Sequence, residues 1–213
     1  MTFFIVLLGW VFSLCLHEFS HALVAYYGGD TTVKDKGYLT FNPLKYTHPF
    51  YSLILPIIFL MMGGIGLPGG AVYIEKWRLV NKRWETAVSL AGPLSNALLA
   101  LTLGLVLRIA PINASGAWPG IAFLAFLQIS ALVLNLIPLP PFDGFGAIEP
   151  YLPMQIRMKL AEMRGMLSWV VIILLWQVPF IGNLFWSFVG FLAQLLGVPL
   201  QLAGLGLDQF MFW

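Results

Sequence analysis

The sequence predicts an all-α polytopic integral membrane protein, and two observations carry that prediction. Of the 213 residues, 60% are hydrophobic and only 9% are charged, whereas ordinary soluble domains have about 45–50% apolar and about 25% charged residues. Several uncharged stretches are also long enough to cross a bilayer, which takes about 20 mostly apolar residues. The net charge of +2 excludes a nucleic-acid-binding protein with a broad basic face, and the hydrophobicity excludes a disordered chain.

Five apolar runs predict about five to six transmembrane or re-entrant helices, because the last run is long enough for two spans. They are residues 2–27, 50–74, 86–107, 109–142 and 165–207. Residues 28–49, between the first two runs, are rich in β-branched and aromatic side chains and are bounded by Gly and Pro. That composition is typical of strands, so we expect a short membrane-associated β element after the first helix.

The basic residues cluster in three loops, and the positive-inside rule assigns all three to the cytoplasmic side. The three loops share a side only if residues 50–74 enter and leave by one face or cross twice. A simple crossing would leave the second cluster outside, so we favour the re-entrant interpretation. We expect a core of residues 1–150 followed by C-terminal helices in residues 151–213. The clusters are Lys34, Lys36 and Lys45, then Lys76, Arg78, Lys82 and Arg83, and finally Arg157, Lys159 and Arg164.

One motif in the first run predicts metal chemistry: residues 17–21 read His-Glu-Phe-Ser-His, which is HExxH. On a helix, positions i and i+4 share a face, so His17 and His21 can bind one zinc ion. Glu18 is placed beside that ion to take a proton from metal-bound water. HExxH also arises by chance on solvated helices. This copy lies in apolar sequence, where ionisable groups are costly unless they are paired or functional.

A catalytic zinc needs a third protein ligand, and Asp143 is the best candidate. It ends a long apolar run and is the sole acid between Glu85 and Glu149. The alternative is an interfacial Asp in a turn, since Asp-Gly turns are common. The re-entrant topology favours coordination, because it brings Asp143 to the side of the bilayer that carries the HExxH motif. We expect one zinc ion per chain. We expect His48 to lie in a surface loop.

Three sequence blocks resemble the site-2 proteases, peptidase family M50, in a compact form without a PDZ domain. The resemblance covers residues 16–144 in the order of the family, and the combination of blocks is specific where a single block would not be. Phe142 stands where the family usually has Leu, which is a conservative apolar change. The blocks are HExxH followed by Gly29-Asp30, Ala-Gly-Pro-Leu-Ser-Asn at residues 91–96, and Asn-x-x-Pro-x-Pro-x-x-Asp-Gly at residues 135–144.

The resemblance implies an intramembrane zinc metalloprotease that hydrolyses peptide bonds of transmembrane or membrane-associated proteins. By position, His17, His21 and Asp143 would be the zinc ligands and Glu18 the catalytic acid/base. Asn135 would bind the substrate backbone or stabilise the oxyanion. Asn96 is a weaker candidate for the same role, because it serves equally well as a polar contact between helices.

The rival class is a non-enzymatic membrane protein, either a zinc-binding scaffold or a transporter with ionisable residues along its pathway. A scaffold needs the ligands but not a glutamate placed for water activation, so Glu18 favours the protease. We expect a multi-pass protein of a prokaryotic cell membrane, in contact with the lipid bilayer, with its active site towards the cytoplasm. The sequence leaves the identity of the substrate and the oligomeric state open.

Overall fold

Helices dominate the structure, a computed structural model that describes residues 1–46, 57–58, 60–61, 72–110 and 114–211. Short 3₁₀ turns lie between some of the helices, at Pro43–Lys45, Lys76–Arg78 and Glu149–Tyr151. In chain order, we number the helices of the described part α1 (Thr2–Tyr27), α2 (Thr32–Asp35), α3 (Lys82–Ile109), α4 (Trp118–Asn135), α5 (Asp143–Ile148), α6 (Met154–Glu162), α7 (Arg164–Gln177), α8 (Pro179–Leu195) and α9 (Leu200–Phe210).

Three single helices of the described part, α1, α3 and α4, are long and apolar enough to cross a membrane. Helices α7 and α8 form a pair bent by 88°, which would add a fourth span if it is counted as one. The prediction of five to six spans is therefore not confirmed. The last apolar run corresponds to residues 164–210 of the structure, which form helices of 14, 17 and 11 residues. The break before α8 falls at Pro179, which has no N–H to continue a preceding helix and favours the first helical turn.

The predicted β element is not confirmed, since residues 28–46 contain the helical turn α2 and a 3₁₀ turn and no strand. The side chain of Asp30 accepts hydrogen bonds from the backbone N–H of Thr32 at 3.1 Å and from its hydroxyl at 2.6 Å. Such local bonds favour a turn over a strand. Val33 is then fully buried against α1. This local geometry overrides the strand propensity of the β-branched residues.

Helix α4 lies at the centre of the packing and is buried over most of its length. One face packs with α3, α8 and α9, and the other packs with α1 and the end of α9. Gly206 of α9 lies directly on the carbonyl of Pro119, where a β-carbon would not fit. Helix α4 is therefore held from several sides. Its buried residues are Ala122, Ala125 and Ile129 on the first face and Phe123, Leu127 and Ala131 on the second.

The end of α1, the start of α3 and helix α5 lie together at one end of the bundle. The backbone N–H of Val80 donates to the carbonyl of Gly28 at 2.9 Å, and the Thr86 hydroxyl donates to the carbonyl of Ala147 at 2.8 Å. A re-entrant segment and a double crossing of residues 50–74 would both give this arrangement. Residues 50–74 themselves lie largely outside the described residues.

Candidate metal centre

The structure brings the three predicted ligands together. His17 and His21 lie one turn apart on α1, with their Nε2 atoms 3.0 Å from each other. Asp143, at the first turn of α5, places Oδ2 at 3.2 Å from Nε2 of His17 and at 3.5 Å from Nε2 of His21. Both imidazoles are buried. Among the described residues, these three form a group that could hold a metal ion.

The donor atoms fit zinc in chemistry and in spacing. Two ligand atoms, each about 2.0–2.1 Å from a tetrahedral zinc, lie about 3.3 Å apart, and the three observed separations surround that value. The other ring nitrogens are engaged elsewhere: Nδ1 of His17 donates to Oδ1 of Asn96 and Nδ1 of His21 donates to the carbonyl of Val88, both at 2.6 Å. A neutral imidazole that donates from Nδ1 leaves Nε2 as an acceptor. Both Nε2 lone pairs are therefore available to a metal ion.

Gly92 of α3 provides the space in which these donors meet. A β-carbon there would lie 2.5 Å from Nε2 and 2.6 Å from Cε1 of His17, and closer still to Nε2 of His21. Any other residue would therefore put an atom among the donor atoms. Gly92, in the Ala-Gly-Pro block, thus leaves the space that the donor atoms occupy.

Glu18 lies beside this group and is almost completely buried, with 4% of its surface exposed. Its Oε2 accepts a hydrogen bond from the backbone N–H of Val72 at 3.1 Å. Glu18, the three predicted ligands and Asn135 line a common cavity of about 890 Å³. Most of the other residues that line the cavity are apolar or aromatic, and the charged ones are Glu75, Lys76, Glu85, Glu149 and Arg164.

A short non-helical segment, residues 72–75, crosses the site and is fixed at both of its ends. Val72 bonds to Glu18 as described, and the backbone N–H of Glu75 donates to Oδ2 of Asp30 at 2.7 Å. The ammonium group of Lys36 donates to the carbonyl of Tyr73 at 3.3 Å. Asp30 has no exposed surface, so its carboxylate is a buried anchor for this segment. The sequence alone did not reveal that role, although Gly29-Asp30 belongs to the family resemblance.

Ion pairs hold the outer end of the same segment. The carboxylate of Glu75 accepts from Nζ of Lys36 at 2.9 Å and from Nε of Arg78 at 2.6 Å. These two charged hydrogen bonds lower the pKa of Glu75 from its usual 4.5 to about 2. Beyond the segment, Nζ of Lys76 lies 2.6 Å from Oε2 of Glu149. The segment is thereby joined to the chain that follows α5.

The structure separates the two predicted substrate-binding residues. Asn135 lies in the cavity wall at the end of α4. Asn96 is not among the described residues that line the cavity, and its side chain lies against Nδ1 of His17. This placement favours a role for Asn96 in orienting His17 over the predicted role in substrate binding. His48 lies outside the described residues.

Three relatives with known names are similar to the chain over much of their length. "Putative zinc metalloprotease Rip2" of Mycobacterium tuberculosis is 45% identical over 213 residues, which cover 99% of this chain and 81% of that protein. The protein of the same name from Mycolicibacterium smegmatis is 44% identical over the same extent. "Putative zinc metalloprotease YwhC" of Bacillus subtilis is 31% identical over 190 residues, 83% of this chain and 81% of that protein.

No family model and no solved structure matches the chain. The relatives are bacterial, and their names imply zinc as the cofactor. The cluster of His17, His21 and Asp143 supplies a site of suitable chemistry for that ion. Identity of 45% over nearly the whole chain, together with the motifs of this cluster, leads to one conclusion: the chain belongs to the site-2 protease family of zinc metalloproteases.

Proposed function

We propose that this protein is an intramembrane zinc metalloprotease that cleaves peptide bonds of transmembrane or membrane-associated proteins. One observation carries the proposal: Glu18 is buried next to three convergent metal-binding groups, of which His17 and His21 belong to a helix of membrane-spanning length. Buried ionisable groups in such helices are costly and mark functional sites. The named relatives support the proteolytic chemistry.

In this proposal His17, His21 and Asp143 hold the zinc ion. A zinc ion held there would supply Lewis-acid chemistry, which makes water a stronger acid and a peptide carbonyl more reactive. Glu18 takes the proton from the attacking water and returns it to the leaving amine. The hydrogen bond from Val72 to Oε2 fixes the direction of the Glu18 carboxylate during this transfer.

Asn135 is the group we assign to substrate binding. It is buried, with 3% of its surface exposed, and lies in the same cavity wall as Glu18. Its side-chain amide is suited to donate to the carbonyl oxygen on which negative charge develops. A peptide in a transmembrane helix must unwind before its carbonyl can reach this wall, because the helix shields its backbone.

We further propose that the site faces the cytoplasmic side of a bacterial cell membrane. The basic loops that precede and follow residues 50–74 lie at the same end of the bundle as the site. The positive-inside rule assigns that end to the cytoplasm. The charged residues of the cavity wall give water, the second substrate, a polar route to Glu18.

A panel of membrane-anchored peptides tests the proposal. The full chain, purified with its zinc and placed in lipid vesicles, is incubated with the peptides, and the products are identified by mass spectrometry. We expect cleavage within or at the edge of a transmembrane segment, loss of cleavage with a zinc chelator, and recovery when zinc is returned. His17→Ala is the inactive control.

The same experiment separates the protease from the zinc-binding scaffold or transporter. A protein that binds zinc stoichiometrically but cleaves none of the peptides, in detergent or in vesicles, would support the scaffold. Cleavage that survives both the chelator and His17→Ala would place the activity in a contaminant and contradict the proposal.

A further inference from the structure

A chain of buried polar side chains leads from His17 into the apolar centre of the bundle. Asn96 of α3 lies against Nδ1 of His17, and its Nδ2 is 2.8 Å from Oε1 of Gln128 on α4. Nε2 of Gln128 is 3.1 Å from the hydroxyl of Ser13, which lies 2.8 Å from the carbonyl of Trp10. The four side chains are all buried, and Gln128 has no exposed surface.

The carbonyl of Trp10, at the far end, sets the direction of every hydrogen bond in this series. It can only accept, so the single hydrogen of the Ser13 hydroxyl is donated to it. The Ser13 oxygen then accepts from the amide NH₂ of Gln128, which turns Oε1 of Gln128 towards Asn96. Asn96 must donate its NH₂ to that oxygen, so its own oxygen is turned towards His17.

The direction of the chain decides which nitrogen of His17 carries the proton. An amide oxygen against Nδ1 requires the Nδ1–H form, in which Nε2 keeps a free lone pair. An NH₂ group in that place would favour the Nε2–H form, which must lose its proton before it can bind a metal. Reversal of the chain is costly, because it leaves buried donors and acceptors unpaired in apolar surroundings.

From this we infer that Gln128 is a positioning residue for the metal site: by holding the Asn96 amide in one orientation, it fixes His17 in the form that binds zinc. This inference rests on the proposed zinc site. Gln128 touches neither the three ligands nor Glu18 in any hydrogen bond of the described residues, and it acts through Asn96. Outer partners of metal-binding histidines typically contribute about 10–100-fold to metal affinity.

Zinc affinity of the purified full chain, measured by competition with a chromophoric chelator, tests the inference. Gln128→Met keeps much of the side-chain volume but removes the acceptor, and we expect it to weaken zinc binding by about tenfold or more. Asn96→Asp presents a carboxylate oxygen to His17 in either orientation. In the Asn96→Asp background, Gln128→Met should therefore change the affinity by no more than about twofold.

The background dependence separates positioning from a structural effect. If Gln128 only supported the packing, Gln128→Met would weaken zinc binding equally in both backgrounds, and this result would overturn the inference. If the single variant Gln128→Met binds zinc as tightly as the wild type, the inference is also overturned. Ser130→Ala is the matched control, since it removes a buried hydroxyl of the same helix whose one hydrogen bond within the described part of the chain is to the carbonyl of Leu127.

Two further measurements keep the test decisive. If Gln128→Met does not yield folded protein, Ser13→Ala removes the next bond of the chain, and the same background dependence is expected. Zinc content of the wild type and of His17→Ala tests the proposed site by itself. Zinc that is bound by the wild type, lost in His17→Ala and unaffected by Gln128→Met would leave the proposed function intact and overturn this inference alone.

Discussion

A β-carbon on Gly92 would lie 2.5 Å from Nε2 of His17. Helix α3 therefore approaches the HExxH face of α1 so closely that only a hydrogen atom fits between its backbone and the donor atoms. The glycine of the Ala-Gly-Pro block therefore has a steric reason, because the candidate site needs free space as well as donor atoms.

Gly92→Ala should lose most of its zinc. The added methyl group occupies the space in which the donor atoms meet, and we expect a weakening of zinc affinity by at least about tenfold, comparable with the loss of an outer partner of a ligand. Zinc content after gel filtration, with chelator competition, measures the effect.

The control for this substitution is Gly204→Ala, because a β-carbon on that helical glycine meets no atom within 4 Å. Alanine is favoured over glycine inside a helix by about 0.5–1 kcal/mol, so both variants should retain folded helices. Full zinc occupancy in Gly92→Ala would show that α3 does not border the metal position.

Asp30→Ala should destabilise the protein without removing its zinc. The buried carboxylate accepts from the backbone N–H and hydroxyl of Thr32 and from the backbone N–H of Glu75. A buried donor left unpaired costs about 1–3 kcal/mol, whereas the three proposed ligands do not involve Asp30. Thermal unfolding and zinc content check the two halves of this prediction.

Asp35→Ala, on an exposed residue of α2, is the matched control for Asp30→Ala. We also expect the cleavage rate of Asp30→Ala to fall, because residues 72–75 lose an anchor while Val72 bonds to Glu18. Wild-type stability of Asp30→Ala would refute the anchoring role.

The stabilisation supplied by Glu75 should depend on pH in a defined window. Its pKa is lowered in the folded state to about 2 from the usual 4.5. A group with a lowered pKa stabilises the folded state above its unfolded pKa, and this stabilisation is lost as the pH falls through the folded value. The difference in unfolding temperature between wild type and Glu75→Gln should be largest above about pH 4.5 and should shrink towards pH 2.

Glu162→Gln, on the exposed side of α6, serves as the control for the pH series. A difference between wild type and Glu75→Gln that stays constant across the whole window would contradict the ion-pair explanation. High salt should reduce the difference at neutral pH, since Glu75 is near the surface and its ion pairs are screened.

The topology can be tested by labelling single cysteines in intact cells, because the chain has one native cysteine, Cys15, which is buried. In a Cys15→Ala background, Lys34→Cys, Arg83→Cys and Lys159→Cys should resist a membrane-impermeant reagent, and Ala114→Cys should react. The positive-inside rule gives the direction. Reaction of Arg83→Cys but not Lys34→Cys would place the two loops on opposite sides.

The sequence predicted groups that the structure brings together at the candidate site, but not the residues that surround them. His17, Glu18 and His21 follow from spacing on one helix, and Asp143 follows from the need for a third ligand. Gly92 and Gln128 contact side chains of helices distant in sequence, and Asp30 contacts the non-helical segment 72–75, so no local pattern reveals these contacts. Gln128 and Ser13 could have been noticed in the sequence, since polar side chains in apolar helices usually have polar partners.

The strand prediction for residues 28–49 shows a related limit. Thr31, Thr32 and Val33 have strand propensity, but the bonds from Thr32 to Asp30 close a turn instead. A side chain that bonds to its own local backbone outweighs a propensity that depends on context. The C-terminal run is a different case. Its composition allows two spans, and the structure breaks it at Pro179 into helices of 14 and 17 residues, so two separate spans are not confirmed.

The most direct test of the central claim is Glu18→Gln, measured for zinc content and for cleavage of a transmembrane substrate in the same preparation. The substitution keeps the size of the side chain and removes the base, and Glu18 is not among the three proposed ligands. We predict full zinc occupancy with a cleavage rate lowered by at least about 10²-fold, the lower range for loss of a general acid/base. Cleavage at the wild-type rate by zinc-loaded Glu18→Gln would contradict the mechanism.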